Sequence, residues 1–139
     1  MIKIPILKIK DKLIVSLQDV LTDRSAIQFQ NDLLEKIYST KIKGVLIDIS
    51  VLDIMDSFLG KILSDTSKMI RLLGAELVIV GMRPSVAITL VELDLQINGV
   101  ATALDIDQGI EKLDILVKSS EIEEVDYEEW SQEEKNDFM

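Results

Sequence analysis

Apolar residues recur along the chain in two patterns, which predict two kinds of element. Short runs of strand-forming residues predict strands over residues 4–10, 13–18, 45–49 and 76–80, with a weak strand near 100–103. Apolar positions three and four residues apart predict amphipathic helices over roughly 23–40, 57–73, 84–94 and 105–117. Glycines such as Gly44, Gly74 and Gly81 fall between these elements, where turns are expected.

The order of the elements predicts the architecture. Strands that alternate with helices imply a mostly parallel sheet with right-handed crossovers, and a tight turn between the first two strands adds an antiparallel pair. We therefore predict an α/β domain over residues 1–118, with a mixed sheet of four to five strands and about four helices. Residues 119–139 are acidic and lack apolar periodicity, which predicts a disordered or docking tail outside the domain.

Composition narrows the chemistry that the chain can perform. The 139 residues suffice for one domain, and they include no cysteine and no histidine. Disulfides and thiolate chemistry are therefore excluded, and the commonest metal ligand and general base are missing. We expect a protein that is not an enzyme and that needs no metal or cofactor.

Charge narrows the range of partners. The net charge is −10, of which −8 lies in residues 119–139, so that the body of the chain is nearly balanced. Nucleic acids and anionic membrane surfaces attract clustered basic residues, so we expect neither as a partner. The N-terminus does not resemble a signal peptide, and no apolar run approaches the roughly 18 residues of a membrane span, which predicts a cytoplasmic protein.

One segment, VLIDISVLDIMDSFLG (45–60), combines a strand, acidic loop residues and a helix start. Asp48 ends the predicted strand, Asp53 and Asp56 lie in the connection, and Ser57 opens the helix. Unpaired N–H groups at a helix start partly stabilise a phosphate, while the neighbouring aspartates would repel it. The residues alone leave two interpretations. Ser57 could be a phosphorylation site, or the segment could simply hold a helix cap, for which Ser57 and Asp56 are both candidates.

Several blocks, in the same order, resemble the STAS-domain family of anti-sigma-factor antagonists, and most closely its RsbS type from the bacterial stressosome. The resemblance covers about residues 3–116 and rests on IPILKI (4–9), LIVSLQ (13–18), FQNDLLEKIY (29–38), GVLIDIS (44–50), MDSF (55–58), RPSVAITLVEL (83–93) and TALDIDQGIEKL (102–113). Simpler antagonists tend to carry a second hydroxyl residue after the aspartate and serine. Here Phe58 stands in that place, which leaves Ser57 as the acceptor and favours the stressosome type.

The resemblance implies a complete partner-switching role. It implies that a GHKL-type serine kinase of the RsbT type phosphorylates Ser57 and that a PP2C-like phosphatase of the RsbX type removes the phosphate. The unmodified protein, in a large homo- and hetero-oligomer with an RsbR-type co-antagonist, would sequester the kinase. Phosphorylation would release the kinase to a stress-signalling pathway. Besides Ser57, we take Asp56, Phe58 and Arg83 as candidate partner contacts.

Two alternatives stay open at this point. The first is a stand-alone anti-sigma-factor antagonist that works without a large particle. The second is a receiver-like domain that carries an aspartyl phosphate on Asp48, which follows the third strand. A receiver also needs further acids after its first strand and a lysine after its fifth, and this pattern is poor here because the ELVIV strand is followed by Gly81, Met82 and Arg83.

Overall fold

The computed structural model describes residues 4–18, 21–95 and 100–137, with side chains up to Glu121. The described residues form five strands and four helices. The strands are β1 (Ile6–Ile9), β2 (Lys12–Ser16), β3 (Gly44–Asp48), β4 (Glu76–Val80) and β5 (Ala101–Ala103). The helices are α1 (Asp23–Thr40), α2 (Ser57–Leu72), α3 (Pro84–Glu92) and α4 (Ile106–Asp137).

The strands form one mixed sheet in the order β1-β2-β3-β4-β5. β1 and β2 pair antiparallel through a tight turn in which Lys10 adopts a positive φ of 57°. The pairs β2–β3, β3–β4 and β4–β5 are all parallel. The predicted α/β class with a mixed sheet is therefore confirmed.

This strand order contradicts the receiver-like alternative. A doubly wound receiver places its first strand inside the sheet, in the order 2-1-3-4-5. Here β1 lies at the edge and runs antiparallel to β2. The hypothesis of an aspartyl-phosphate receiver centred on Asp48 is therefore wrong.

Helices cover both faces of the central strand β3, which explains its unbroken apolar sequence. On one face, Val45 and Ile47 belong to a core that also contains residues of α1, α2 and α3. On the other face, Leu46 packs with Leu113 and Val117 of α4. All three β3 side chains are fully buried, so the strand that leads to the candidate site is fixed on both sides.

The last helix is the largest difference from the sequence-based expectation. The prediction ended this helix near Val117 and treated residues 119–139 as a disordered or docking tail, whereas the backbone of α4 continues as a helix to Asp137. No glycine or proline occurs between Ile110 and Asp137, and the Glu, Gln and Lys residues of this stretch favour helix even without a buried face. The boundary of the folded domain at residue 118 stays a prediction.

Candidate functional site

The candidate site lies at the carboxyl end of the parallel strands, where the following helices begin. Residues 49–56, here called the site loop, connect β3 to α2. The turn between β4 and α3, residues 81–83, lies beside it. In open α/β sheets, binding sites are commonly built at this end because loops and helix N-termini meet there.

The site loop is held in place by three buried apolar side chains, Ile49, Leu52 and Met55, and by local hydrogen bonds. The Asp48 Oδ1 atom accepts a hydrogen bond of 2.9 Å from the Ser50 N–H, and the Leu52 N–H donates one of 3.0 Å to the Ile49 carbonyl. Leu52 and Met55 are buried, whereas Ile54 between them is 85% exposed. The loop therefore has a fixed inner side and presents Ile54 to solvent.

The N-cap of α2 is Asp56 and not Ser57. Asp56 has an extended backbone, and its Oδ1 atom accepts a hydrogen bond of 2.7 Å from the Leu59 N–H. Ser57 is the first helical residue and is exposed. The capping function predicted for Ser57 or Asp56 thus belongs to Asp56, and the exposed Ser57 hydroxyl is not part of the cap.

Arg83 and Ser85 link the site loop to the start of α3. The Arg83 Nε donates a hydrogen bond of 2.8 Å to the Ser50 carbonyl, and its guanidinium also pairs with the Asp53 carboxylate. The Ser85 hydroxyl donates a hydrogen bond of 2.8 Å to the Asp53 carbonyl. Arg83, predicted as a partner contact, therefore makes contacts within the chain. Its contact with a partner stays a prediction.

Gly81 allows the two loops to approach each other. Its φ is +75°, a conformation that residues with a Cβ rarely adopt. A Cβ at this position would lie 2.6 Å from the Ser50 Cβ and 3.0 Å from the Asp48 Oδ1. Glycine is therefore required here both by the backbone and by the contact with the site loop.

The predicted site residues are brought together only in part. Asp56, Ser57 and the half-buried Phe58 are consecutive at the start of α2. Sequence reasoning missed the roles of Ser85 and of the Ser50 carbonyl. Ser85 bonds to Asp53 and the Ser50 carbonyl to Arg83, and each contact joins residues more than 30 positions apart in the chain. No local pattern reveals such a contact, because it depends on the strand order.

The described part of the chain has neither a cluster of metal-binding side chains nor a membrane-spanning helix. No group of His, Cys, Asp or Glu residues among the described residues could hold a metal ion. None of the described helices is long and apolar enough to cross a membrane.

Comparison with known proteins supports this fold and the expected relationship. The model of the STAS domain matches residues 3–107. A solved serine-to-glutamate variant of Moorella thermoacetica RsbS is 42% identical, with a TM-score of 0.76, and the match covers 83% of this chain and 97% of that one. A chain from a structure of the stressosome, described as a signal integration and transduction hub, is 44% identical with a TM-score of 0.73, covering 81% and 97% of the two chains.

A curated relative from Bacillus subtilis (strain 168) is more distant. The RsbT co-antagonist protein RsbRA is 29% identical over 84 residues, which are 60% of this chain and 31% of RsbRA. This chain therefore spans about a third of the length of RsbRA. The match of the domain model to most of the chain, together with the two similar solved structures, shows that this chain belongs to the STAS-domain family and resembles its RsbS-type stressosome members.

Proposed function

We propose that this chain is a phospho-switched stressosome scaffold and antagonist, which sequesters a GHKL-type serine kinase until Ser57 is phosphorylated. The observation that carries the proposal is the exposed Ser57 hydroxyl at the first position of α2, beside a cap already supplied by Asp56. The similarity to RsbS and to a stressosome chain supports a role in that assembly. RsbRA, named an RsbT co-antagonist, supports an RsbT-type kinase and an RsbR-type co-antagonist as partners.

The proposed modification is a phosphoryl transfer in which the chain is the substrate. The Ser57 Oγ forms a bond with the γ-phosphorus of ATP, the bond from that phosphorus to the bridging oxygen breaks, and ADP leaves. A base on the kinase takes the hydroxyl proton. A PP2C-like phosphatase would later hydrolyse the phosphoserine to serine and inorganic phosphate. The chain itself has no catalytic role in this proposal and acts in the cytoplasm.

Charge explains how the phosphate would change binding. A phosphoserine adds about −1.5 to −2 charges at neutral pH. The new charge would lie next to the Asp56 carboxylate, and Asp53 lies on the same site loop. The Leu59 N–H already donates its hydrogen bond to Asp56. Repulsion between the phosphate and these aspartates therefore opposes the partial stabilisation of the phosphate by the helix start. Binding of a kinase surface that fits the unmodified serine becomes less favourable.

The first experiment locates the phosphate. Incubation with the cognate GHKL kinase and ATP should add one phosphate, assigned by mass spectrometry to Ser57. Ser57→Ala should abolish the incorporation, whereas Ser39→Ala, which alters an exposed serine in the last turn of α1, should leave it unchanged. Incorporation into Ser57→Ala at the wild-type level would contradict the proposal.

The second experiment tests the switch itself. Ser57→Asp places a carboxylate at the start of α2, and we expect it to reduce kinase capture in a pull-down by about tenfold, or roughly 1.4 kcal/mol. Ser39→Asp adds the same charge away from the site and should not change capture. Equal capture by the wild type and Ser57→Asp would argue against a phosphate-controlled hold.

A stand-alone antagonist is the second candidate function, since its fold would be the same. Size-exclusion chromatography, with and without an RsbR-type co-antagonist, separates the two. A scaffold elutes in particles far above the chain mass of 15.6 kDa. Elution as a small species under both conditions would favour the stand-alone antagonist.

A further inference from the structure

The site loop is braced by two residues at the start of α3. Arg83 contacts both the Ser50 carbonyl and the Asp53 carboxylate, and Ser85 contacts the Asp53 carbonyl. These hydrogen bonds fix the backbone on two sides of the buried Leu52. Three residues after Asp53, the loop reaches the cap of the helix that carries Ser57.

The exposure of this brace argues that its main effect is on geometry. The Arg83 and Asp53 side chains are 49% and 64% exposed, and ion pairs at such positions contribute little to the free energy of folding. The same contacts nevertheless reduce the conformations open to an exposed loop segment. A loop that is ordered before binding does not have to be ordered during it, which lowers the cost of association.

We propose that Arg83 is a positioning residue for the modification of Ser57, because it holds the site loop in the conformation that a kinase recognises. The inference rests on the proposed function and adds a role for a residue outside the loop. Without this brace, only a fraction of molecules presents the loop correctly. The apparent affinity for the kinase then falls by that fraction, while the rate of transfer in the bound complex stays the same.

The geometry also explains why arginine serves here better than lysine. The Arg83 Nε donates to a backbone carbonyl while a terminal nitrogen of the same guanidinium contacts a carboxylate. A guanidinium holds its donors in a planar, rigid arrangement, whereas a lysine ammonium is a single point of charge. A lysine could keep the pair with Asp53 but would lose the simultaneous contact with Ser50.

Phosphorylation kinetics test the proposal. With the full chain as the varied substrate of the cognate kinase, Arg83→Ala should raise KM about tenfold and leave kcat within about twofold. Arg83→Lys should fall between this variant and the wild type. The matched control is Arg71→Ala, which removes an arginine of similar exposure (45%) that pairs with Glu76 at the other end of the sheet, and it should change neither constant.

Amide hydrogen exchange on the free chain provides the readout that a direct kinase contact would not change. Amides of residues 51–55 should exchange faster in Arg83→Ala than in the wild type, and they should be unchanged in Arg71→Ala. A raised KM without faster exchange would mean that Arg83 contacts the kinase directly, which would overturn the positioning role. Equal effects of the two arginine variants would overturn it as well.

The two proposals can fail separately. If the wild-type chain takes no phosphate at Ser57, the proposed function is wrong, and the link between Arg83 and phosphorylation is wrong with it. Exchange at residues 51–55 would still decide whether Arg83 orders the loop. If Ser57 is modified equally well in all arginine variants, the proposed function survives and the positioning role is rejected.

Discussion

The two ends of the central sheet are stabilised in different ways. At the carboxyl end, the site loop is held by hydrogen bonds from Arg83 and Ser85, by the contact with Gly81 and by the cap at Asp56. At the amino end, ion pairs and a hydrogen bond connect the strand starts to α4 and α2. They join Lys12 to Asp114, Lys43 to Glu121, Arg71 to Glu76, and Ser120 to Glu76.

This difference suggests a division of roles between the two ends. Contacts at the amino end connect α4 and α2 to the strands that they flank, and none of them involves a residue of the site loop. Contacts at the carboxyl end join one loop to another and set the position of an exposed hydroxyl. We therefore expect changes at the amino end to affect stability but not phosphorylation. Changes to the residues that position the site loop or the start of α2 should affect the phosphorylation of Ser57.

The largest effect is expected from a pair of glycines, one at each end. Gly81 and Gly74 both have positive φ values, of 75° and 87°. A Cβ at Gly81 would lie 3.0 Å from the Ser50 Cα, whereas a Cβ at Gly74 would have no atom within 4 Å. Gly81→Ala should therefore cost about 3 kcal/mol of unfolding free energy, and Gly74→Ala about 1 kcal/mol.

Urea unfolding measures the loss of unfolding free energy in both glycine variants, and the kinase assay compares their effects on the phosphorylation of Ser57. Gly81→Ala displaces the site loop, so the kcat/KM for Ser57 should fall at least tenfold even where the variant is folded. Gly74→Ala should leave it unchanged. Equal unfolding free energies for the two variants would show that the close contact at Gly81 can relax.

A smaller effect is expected at the helix cap. Asp56→Ala removes the acceptor for the Leu59 N–H and should cost about 1 kcal/mol. Asp105→Ala is the matched control, because the Asp105 Oδ1 accepts a hydrogen bond of 2.9 Å from the Gln108 N–H near the start of α4 and its loss should cost a similar amount. Only Asp56→Ala should lower the kcat/KM for Ser57, since only that cap adjoins the acceptor.

Asp56→Asn separates the cap from its charge. Asparagine caps helices about as well as aspartate, so the unfolding free energy should stay near the wild-type value. If kinase capture falls in Asp56→Asn, the negative charge itself takes part in recognition. If Asp105→Ala slows phosphorylation as much as Asp56→Ala does, the effect follows global stability, and the proposed distinction between the sites is wrong.

The sequence predicted the fold better than it predicted the site. Periodicity predicted the five strands and four helices that the described residues form, because buried strands and amphipathic helices leave local patterns. The helical backbone beyond Val117 was missed because that stretch has no apolar periodicity. The contacts of Arg83 with Ser50 and Asp53 depend on strands β3 and β4 lying side by side, which no local pattern reveals.

The assignment of Ser57 shows the same limit within one turn of helix. Aspartate and serine are both good caps, so the residues alone left two candidates. Backbone geometry decides between them, since Asp56 is extended and Ser57 is already helical. Likewise, the sequence does not reveal that Ile54 is exposed while Leu52 and Met55 are buried.

The smallest effect is expected at Lys12, at the amino end, and it depends on pH. The hydrogen bond from its ammonium to Asp114 raises the pKa of Lys12 above 10.5, with Asp11 adding to the effect and burial opposing it. A raised pKa in the folded state stabilises the fold below the unfolded pKa, and this contribution is lost as the pH rises through the folded value. Lys12→Met should therefore cost about 0.5–1 kcal/mol near pH 8 and less near pH 11.

Urea unfolding of the wild type and Lys12→Met at the two pH values checks this difference. Lys61→Met, which removes an exposed pair with Asp65 on one face of α2, should cost only about 0.3 kcal/mol near pH 8 and serves as the control. A cost for Lys12→Met that does not change with pH would assign the effect to packing of the lysine stem. Lys12 lies at the end of the sheet away from Ser57, so the kcat/KM for phosphorylation of Lys12→Met should stay at the wild-type value. A lower kcat/KM in this variant would mean that the two ends of the sheet are coupled through α4.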